Sequence, residues 1–185
     1  MQQATNPSRR MTCLKKKSPG VFINDSLGSF CLNPEHIDLL KKEISSSPKK
    51  RSRICIHKSD EEQIHQMIIA LPRNHYVQPH KHNQKSETYQ VIEGEALFVQ
   101  FDEKGSIDQI NPLNTVNYFF KPSEYKYHTL IVSSDFFIFT ETTNGPFEPN
   151  TNIPAPWAPS EKEDEKIAEY QQRLINHISA FQKQV

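Results

Sequence analysis

Residues 79–94 contain two histidines and a carboxylate at a spacing that could hold a metal ion. The stretch reads PHKHNQKSETYQVIEG, so His80, His82 and Glu87 fall within eight residues. On an extended strand alternate side chains point to the same face, which would place the two imidazoles roughly 7 Å apart. Neutral imidazole and carboxylate are a donor set that binds first-row divalent metals. The spacing therefore predicts a metal site.

A fourth donor has to come from elsewhere in the chain. Two histidines and one acid leave coordination positions for a further ligand, water or substrate. The best candidate is His128, which begins an apolar run in PSEYKYHTLIV. A lone histidine beside a strand is more often a satisfied polar residue, but the spacing of the other three favours a ligand here.

These residues resemble the first motif of the cupin family, G-x5-H-x-H-x3,4-E-x6-G. Its five positions fall on Asn74, His80, His82, Glu87 and Gly94. The first position has Asn instead of Gly, a mild change because asparagine tolerates positive φ angles.

The second cupin motif, P-x-G-x2-H-x3-N, is matched at its histidine by His128. Pro122 lies one residue too far upstream, Tyr125 stands at the Gly position and Val132 at the Asn position. The resemblance implies one divalent ion, which could be iron, manganese, nickel or zinc, bound by His80, His82, Glu87 and His128.

A narrower resemblance covers residues 25–160. The segments RSRICIHK, KSETYQVIEG and ETTNGPFEP, followed by APWAP, are similar to the WbuC-type cupin metalloproteins. That group is associated with bacterial surface-polysaccharide (O-antigen) gene clusters and has no settled reaction. The resemblance implies an all-β, single-domain jelly-roll β-barrel with short N-terminal and C-terminal helices. Barrels with terminal arms often pair, so we expect a homodimer.

Length and composition limit the function classes. The 185 residues suit one domain with extensions, and the 22 acidic and 22 basic residues give no global field to attract nucleic acid or an anionic membrane. Three cysteines without a C-x-x-C pair, and no apolar run of about 20 residues, favour a soluble cytoplasmic protein. The metal site in a barrel leads us to expect a small-molecule substrate as its partner. We expect a flexible tail (1–20), a strand and helix extension (21–50), the barrel (51–148) and a Pro-rich wrap with a C-terminal amphipathic helix (149–185).

Hydrophobic periodicity and turn residues predict the elements. Asn33 and Pro34 open a helix, and Ser160 and Glu163 form a capping box before a second helix over residues 161–182, which would pack on the barrel or a second subunit. In the Pro-rich segment Phe147 and Trp157 are the expected anchors. The expected strands are 21–25, 51–57, 63–71, 88–102 with a hinge at Gly94, 106–110 after a hairpin turn, 118–120, 129–132 and 136–141.

The strand at residues 51–57 alternates polar and apolar side chains. Arg51, Arg53, Cys55 and His57 share one face. Spacing alone leaves two interpretations even: the arginines meet solvent, or this face lines the barrel cavity. The family resemblance favours the cavity, where Arg51 and Arg53 would bind an anionic substrate group.

Three further residues are candidates for proton transfer. Tyr76 shares the parity of His80 on an unbroken strand, although it could equally fill the barrel. Glu141 ends the last strand at a family position, where it could act as a general base, orient a ligand histidine or simply be solvated. His57 is the third.

Three function hypotheses remain open. The first is a metal-dependent enzyme acting on a small polar substrate, sugar-derived or anionic, by isomerisation or epimerisation, with an iron-dependent oxygenase as a variant. The second is a non-catalytic metal-dependent binding or sensor protein. The third, an ion for stability alone, is disfavoured because buried polar ligands cost more than an apolar core.

Overall fold

The computed structural model describes residues 14–26 and 29–183 as two packed β-sheets with one helix on each outer face. The bounds of its strands and helices, in chain order, are β1 Leu14–Ser18, β2 Val21–Asn24, α1 Pro34–Ile44, β3 Ser52–Cys55, β4 Ile64–Pro72, β5 His80–His82, β6 Glu87–Glu93, β7 Ala96–Phe101, β8 Ile107–Leu113, β9 Phe119–Phe120, β10 Tyr127–Val132, β11 Phe136–Asn144, β12 Asn152–Pro154 and α2 Asp164–Gln182.

The chain passes repeatedly from one sheet to the other. The seven-stranded sheet has the order β1-β2-β3-β4-β11-β6-β9, and the five-stranded sheet has the order β12-β5-β10-β7-β8. Strands β4 to β7 therefore alternate between the sheets, as in a jelly roll. This architecture confirms the predicted all-β, single-domain jelly-roll class with a helix near each end.

The space between the sheets holds the main core. Phe137 and Phe139 of β11 point into it, whereas Ile138 points outward, as strand alternation requires. The inner core combines both sheets, with members including Tyr89, Val91, Phe98, Leu113, Leu130, Phe137 and Phe139.

Each helix covers the outer face of one sheet. Leu40 and Ile44 of α1 pack with Ile54 and Ile68 of the seven-stranded sheet. Helix α2 buries Tyr170, Leu174 and Ile178 against the five-stranded sheet and Trp157. Of the two predicted positions for α2, the structure has it on its own barrel.

The predicted start of α1 is confirmed in detail. Asn33 accepts a hydrogen bond from the backbone N–H of His36 at 3.1 Å, and the His36 ring accepts one from the Asn33 N–H, so a histidine completes the capping box. Pro34 occupies the first turn. Among the described residues no helix is both long enough and apolar enough to cross a membrane.

Several sequence expectations need correction. Residues 14–18 form a strand within the predicted tail, and residues 1–13 lie outside the described part. Helix α2 begins at Asp164 and not at residue 161. Glu163 accepts a hydrogen bond from the Ser160 N–H at 2.8 Å, which is half of the predicted capping box, but no side chain caps the helix N-terminus. Phe147 is 57% exposed and anchors nothing, whereas Trp157 packs edge-on against Phe101.

The predicted hinge at Gly94 is a crossing between sheets. β6 belongs to the seven-stranded sheet and β7 to the five-stranded sheet, so the two do not pair with each other. Gly94 has φ +84, and an added Cβ would lie 2.0 Å from the Phe136 carbonyl oxygen. Only glycine fits this close approach. The chain crosses here from β6, which begins at Glu87, to β7 in the other sheet.

Candidate metal centre

Three histidines converge on the inner face of the five-stranded sheet. His80 and His82 lie at the two ends of β5, and β10 places His128 directly opposite His80 in the antiparallel register. Opposed residues of paired strands share a face. One ring nitrogen from each of the three lies within 4.8 Å of the others, a separation that a single ion can bridge.

Glu87 reaches the cluster from the other sheet. It begins β6, and its Oε1 lies 3.0 Å from His82 Nε2 while its Oε2 lies 3.6 Å from His128 Nε2. Tyr89 donates a hydrogen bond to Oε2 at 2.9 Å. The structure thus brings together all four residues that the motif resemblance implies as ligands.

Backbone carbonyls orient two of the imidazoles. His80 Nδ1 lies 2.8 Å from the Gln78 oxygen, and His128 Nδ1 lies 3.0 Å from the Lys126 oxygen. A carbonyl can only accept, so Nδ1 carries the proton in both rings and the Nε2 lone pair is free. This is the arrangement that metal-ligating histidines adopt.

The nitrogens that face the centre lack ordinary partners. His128 Nε2 is buried without a hydrogen bond in the described part of the chain, and the equally buried His82 Nε2 has Glu87 Oε1 3.0 Å away without hydrogen-bond geometry. Leaving such groups unpaired costs about 1–3 kcal/mol each. A bound cation would satisfy them, so the residues present fit a divalent metal ion.

Burial sets the protonation state that a metal needs. It lowers the pKa of His80 to about 3 and also lowers that of His128, so both rings are neutral at pH 7. Burial opposes ionisation of Glu87, but the close contact with His82, at 3.0 Å, and the electrostatic effect of its other neighbours outweigh it and lower the carboxyl pKa. Metal binding at neutral pH would need no proton loss from these groups.

Glu141 lies one strand away from Glu87. β11 places it opposite Met67 on one side and Tyr89 on the other, so it shares the inner face with Tyr89. Desolvation, and secondly the charge of Glu87, raise the pKa of Glu141 to about 7. It can therefore exchange a proton near neutral pH.

Arg53 lies at the far side of the same face, and Arg51 immediately precedes its strand. Arg53 is opposite Ile69, which is opposite Phe139 of the inner core. Arg51 pairs with Glu161 at 3.2 Å, and Arg53 contacts the Met67 sulfur. Although their charges act to lower the pKa of Glu141, neither lines the cavity beside the histidines.

Tyr76 and His57 have other partners. β5 is only three residues long, so Tyr76 is not on an unbroken strand with His80; its hydroxyl donates to the Pro159 carbonyl at 2.7 Å. His57 stacks on His65 with ring centroids 4.2 Å apart. By register His65 lies two strands from Glu87, across Thr143.

A small cavity adjoins the histidines and contains a residue that sequence reasoning missed. Its volume is about 10 Å³, room for about one water, and it is lined by His82, Lys85, Glu87, His128 and residues 122–126. Lys85 Nζ lies 3.6 Å from Glu87 Oε1. The sequence offered one indication of this, because Lys85 lies between His82 and Glu87 in the motif.

Comparisons with known proteins find one family model that matches part of the chain and several solved structures that are distant in sequence. A family model described as a domain of unknown function, DUF6016, matches residues 32–113, which is less than half of the chain. That range contains His80, His82 and Glu87 but not His128. A search of curated proteins finds no match.

Solved structures with related folds are distant in sequence. The capsular polysaccharide assembling protein CapF of Staphylococcus aureus has 14% identity and a TM-score of 0.48, covering 58% of this chain and 32% of that one. An uncharacterized Klebsiella pneumoniae protein with a double-stranded β-helix domain has 17% identity and a TM-score of 0.46, covering 59% and 87%.

An oxalate decarboxylase of Lactobacillus farciminis has 16% identity and a TM-score of 0.42, covering 50% of this chain; this chain spans 27% of that enzyme. The chain's own two-sheet barrel, with three histidines meeting on its inner face, has the cupin fold.

Proposed function

We propose that this protein is a metal-dependent enzyme whose ion is held by His80, His82, Glu87 and His128. The observation that carries the proposal is the convergence of three imidazoles on one carboxylate, with His128 Nε2 buried and without a hydrogen bond among the described residues. Iron, manganese, nickel and zinc all suit this donor set. A bound ion would act as a Lewis acid that polarises a substrate carbonyl or hydroxyl.

Glu141 is the candidate general acid–base residue. Its pKa, raised to about 7 by desolvation, is poised for proton exchange at neutral pH, and its cross-strand neighbour Tyr89 contacts the ligand Glu87. Tyr76 and His57 are weaker candidates because their described contacts are with Pro159 and His65. The proposed reaction class is isomerisation or epimerisation.

The substrate and setting are proposed from the motif resemblance. The segments shared with WbuC-type cupins support a role in surface-polysaccharide biosynthesis, in the cytoplasm and as a homodimer. The charges of Arg51 and Arg53, which act on Glu141 from the same region, support an anionic, sugar-derived substrate.

A non-catalytic metal-dependent binding protein is the second candidate. The cavity of about 10 Å³ supports a small ligand at the ion, because that space admits about one water-sized group and a sugar would require residues 122–126 to move. The two candidate functions differ in the role of Glu141, which transfers a proton in the enzyme and has no chemical role in the binding protein.

The experiment combines metal analysis with a ligand screen. Purified protein should contain about one divalent ion per chain. Nucleotide sugars and small carboxylates are then screened for thermal stabilisation, since a ligand that binds the folded state raises its stability. For each stabilising compound, turnover is measured in the wild type, in Glu141→Gln and in Glu93→Gln, a matched control on the same sheet.

If the protein is an enzyme, Glu141→Gln should lower turnover about 100-fold or more, while the ligand still raises its thermal stability. Turnover in Glu93→Gln should resemble that of the wild type. Stabilisation without turnover in any variant would instead identify the binding protein. Protein without metal after growth with each of the four metals would refute both candidates.

A further inference from the structure

Lys85 holds its ammonium group over the cavity beside the histidines. It lies in the turn between β5 and β6, and its side chain is only 21% exposed. The turn is fixed by Asn144, whose side chain accepts from the Ser86 N–H at 2.8 Å and donates to the Gln84 carbonyl at 3.3 Å. The position of Lys85 is therefore built into the fold.

Lys85 depends on a ligand carboxylate for its charge partner. In the described part of the chain its one carboxylate contact is Glu87 Oε1, at 3.6 Å. By contrast, Lys126 lines the same cavity but pairs with Asp108 at 2.8 Å. Once a divalent ion shares Glu87, the Lys85 charge is no longer balanced locally.

The charges at the loaded centre then sum to an excess of positive charge. Imidazoles bind a metal ion in the neutral form, so Glu87 would carry the one negative charge of the ligand set, whereas the ion and Lys85 together would carry three positive charges. Charges in a partly buried site are weakly screened, so this excess favours an anionic ligand. The cavity beside Lys85 and the histidines, with room for about one water, is where an oxygen atom of such a ligand would lie.

We propose that Lys85 is the anion-binding residue of this centre, and that it holds a substrate carboxylate together with the bound ion. This rests on the proposed metal site and adds to it the substrate class and a binding residue. Lys85 donates a charge-assisted hydrogen bond to one carboxylate oxygen while the other faces the ion. Arg51 and Arg53, which are farther from the cavity, would bind other groups of the same substrate.

The test uses cobalt(II)-loaded protein and acetate as the probe. Acetate is titrated at constant ionic strength into the wild type, Lys85→Met, Lys85→Arg and Lys121→Met, and the visible cobalt absorption is recorded. Lys121 is a matched control, because it lies beside the loop over the cavity and pairs weakly with Glu124 at 4.0 Å without lining the cavity. Cobalt content is measured in each sample.

In the wild type we expect a saturable change of the cobalt spectrum. Lys85→Met should weaken acetate binding about tenfold or more, Lys85→Arg should recover part of it, and Lys121→Met should match the wild type. Equal acetate affinity in Lys85→Met and the wild type, with full cobalt content, would overturn the role of Lys85 and leave the metal site intact. Absence of bound cobalt from the wild type would overturn the metal site and this proposal with it.

Discussion

Two groups of histidines on the inner side of this barrel differ in arrangement. His80, His82 and His128 present ring nitrogens to a common point, with Glu87 at 3.0 Å from one of them. His57 and His65 instead stack with their rings nearly parallel, 9° apart. Both groups contain buried nitrogens without hydrogen bonds, including His65 Nε2. Burial and an unpaired nitrogen therefore do not define a metal site; convergence with a carboxylate does.

The difference follows from the strands that carry the two groups. β5 and β10 are neighbours, so their histidines meet directly, and the facing sheet supplies the acid. His65 is opposite Thr143 and packs close to Gly145, where an added Cβ would lie 2.8 Å from its Nε2. The stacked pair thus fills space at one end of the sheet.

The largest expected effect tests this contrast directly. His82→Ala should reduce the bound metal about tenfold or more relative to the wild type, because it removes a proposed ligand whose Nε2 lies 3.0 Å from Glu87. His65→Ala, a matched truncation of another buried histidine, should keep about one ion per chain. Elemental analysis of purified protein, with circular dichroism to check folding, measures both.

Equal metal loss in both variants would mean that the stacked pair also contributes to binding. Unchanged metal content in His82→Ala would contradict the ligand assignment, whatever the result for His65→Ala.

The second prediction concerns stability. Metal bound at about 100 times its Kd should add about 2.7 kcal/mol to the free energy of unfolding, which corresponds to about 5–10 °C in Tm for a chain of this length. Removing the ion with a chelator and then adding it back should lower and restore Tm in the wild type and in His65→Ala. A similar shift in His82→Ala would place the stabilising ion elsewhere.

The smallest effect concerns His75, a buried histidine outside both groups. Burial, and secondly the charge of Arg51, lower its pKa to about 4, while Glu161 opposes this. The unfolded chain therefore binds more protons than the folded one between about pH 6.5 and 4, so stability is lost as the pH falls through this window. From pH 7 to pH 5 this amounts to about 2 kcal/mol.

In His75→Gln that part of the pH dependence should disappear. Urea unfolding of the metal-free protein at pH 7 and pH 5 measures it, and the exposed His177→Gln variant serves as the control. A pH dependence that is the same in His75→Gln and the wild type would show that the His75 ring is not kept neutral by burial.

Much of the fold could be predicted from local pattern. The alternation of β11 and the apolar stripe of α2 come from a periodicity along the chain, and the cap of α1 comes from the residue type of Asn33. All three depend only on residues close together in sequence. The start of α2 and the exposure of Phe147 could not be predicted in this way. The contacts of a polar segment or of a single aromatic residue depend on how distant parts of the chain pack. The strand at residues 14–18 is polar and gains its pairing from β2.

By itself the sequence determined the ligand candidates, since the spacing of His80, His82 and Glu87 restricts them to one strand and the start of the next. Only the tertiary structure decided that Glu87 meets the histidines from the opposite sheet, that Glu141 is desolvated enough for its pKa to rise to about 7, and that Lys85 faces the cavity. These properties depend on which distant segments exclude water and place charges nearby, and no local pattern encodes them.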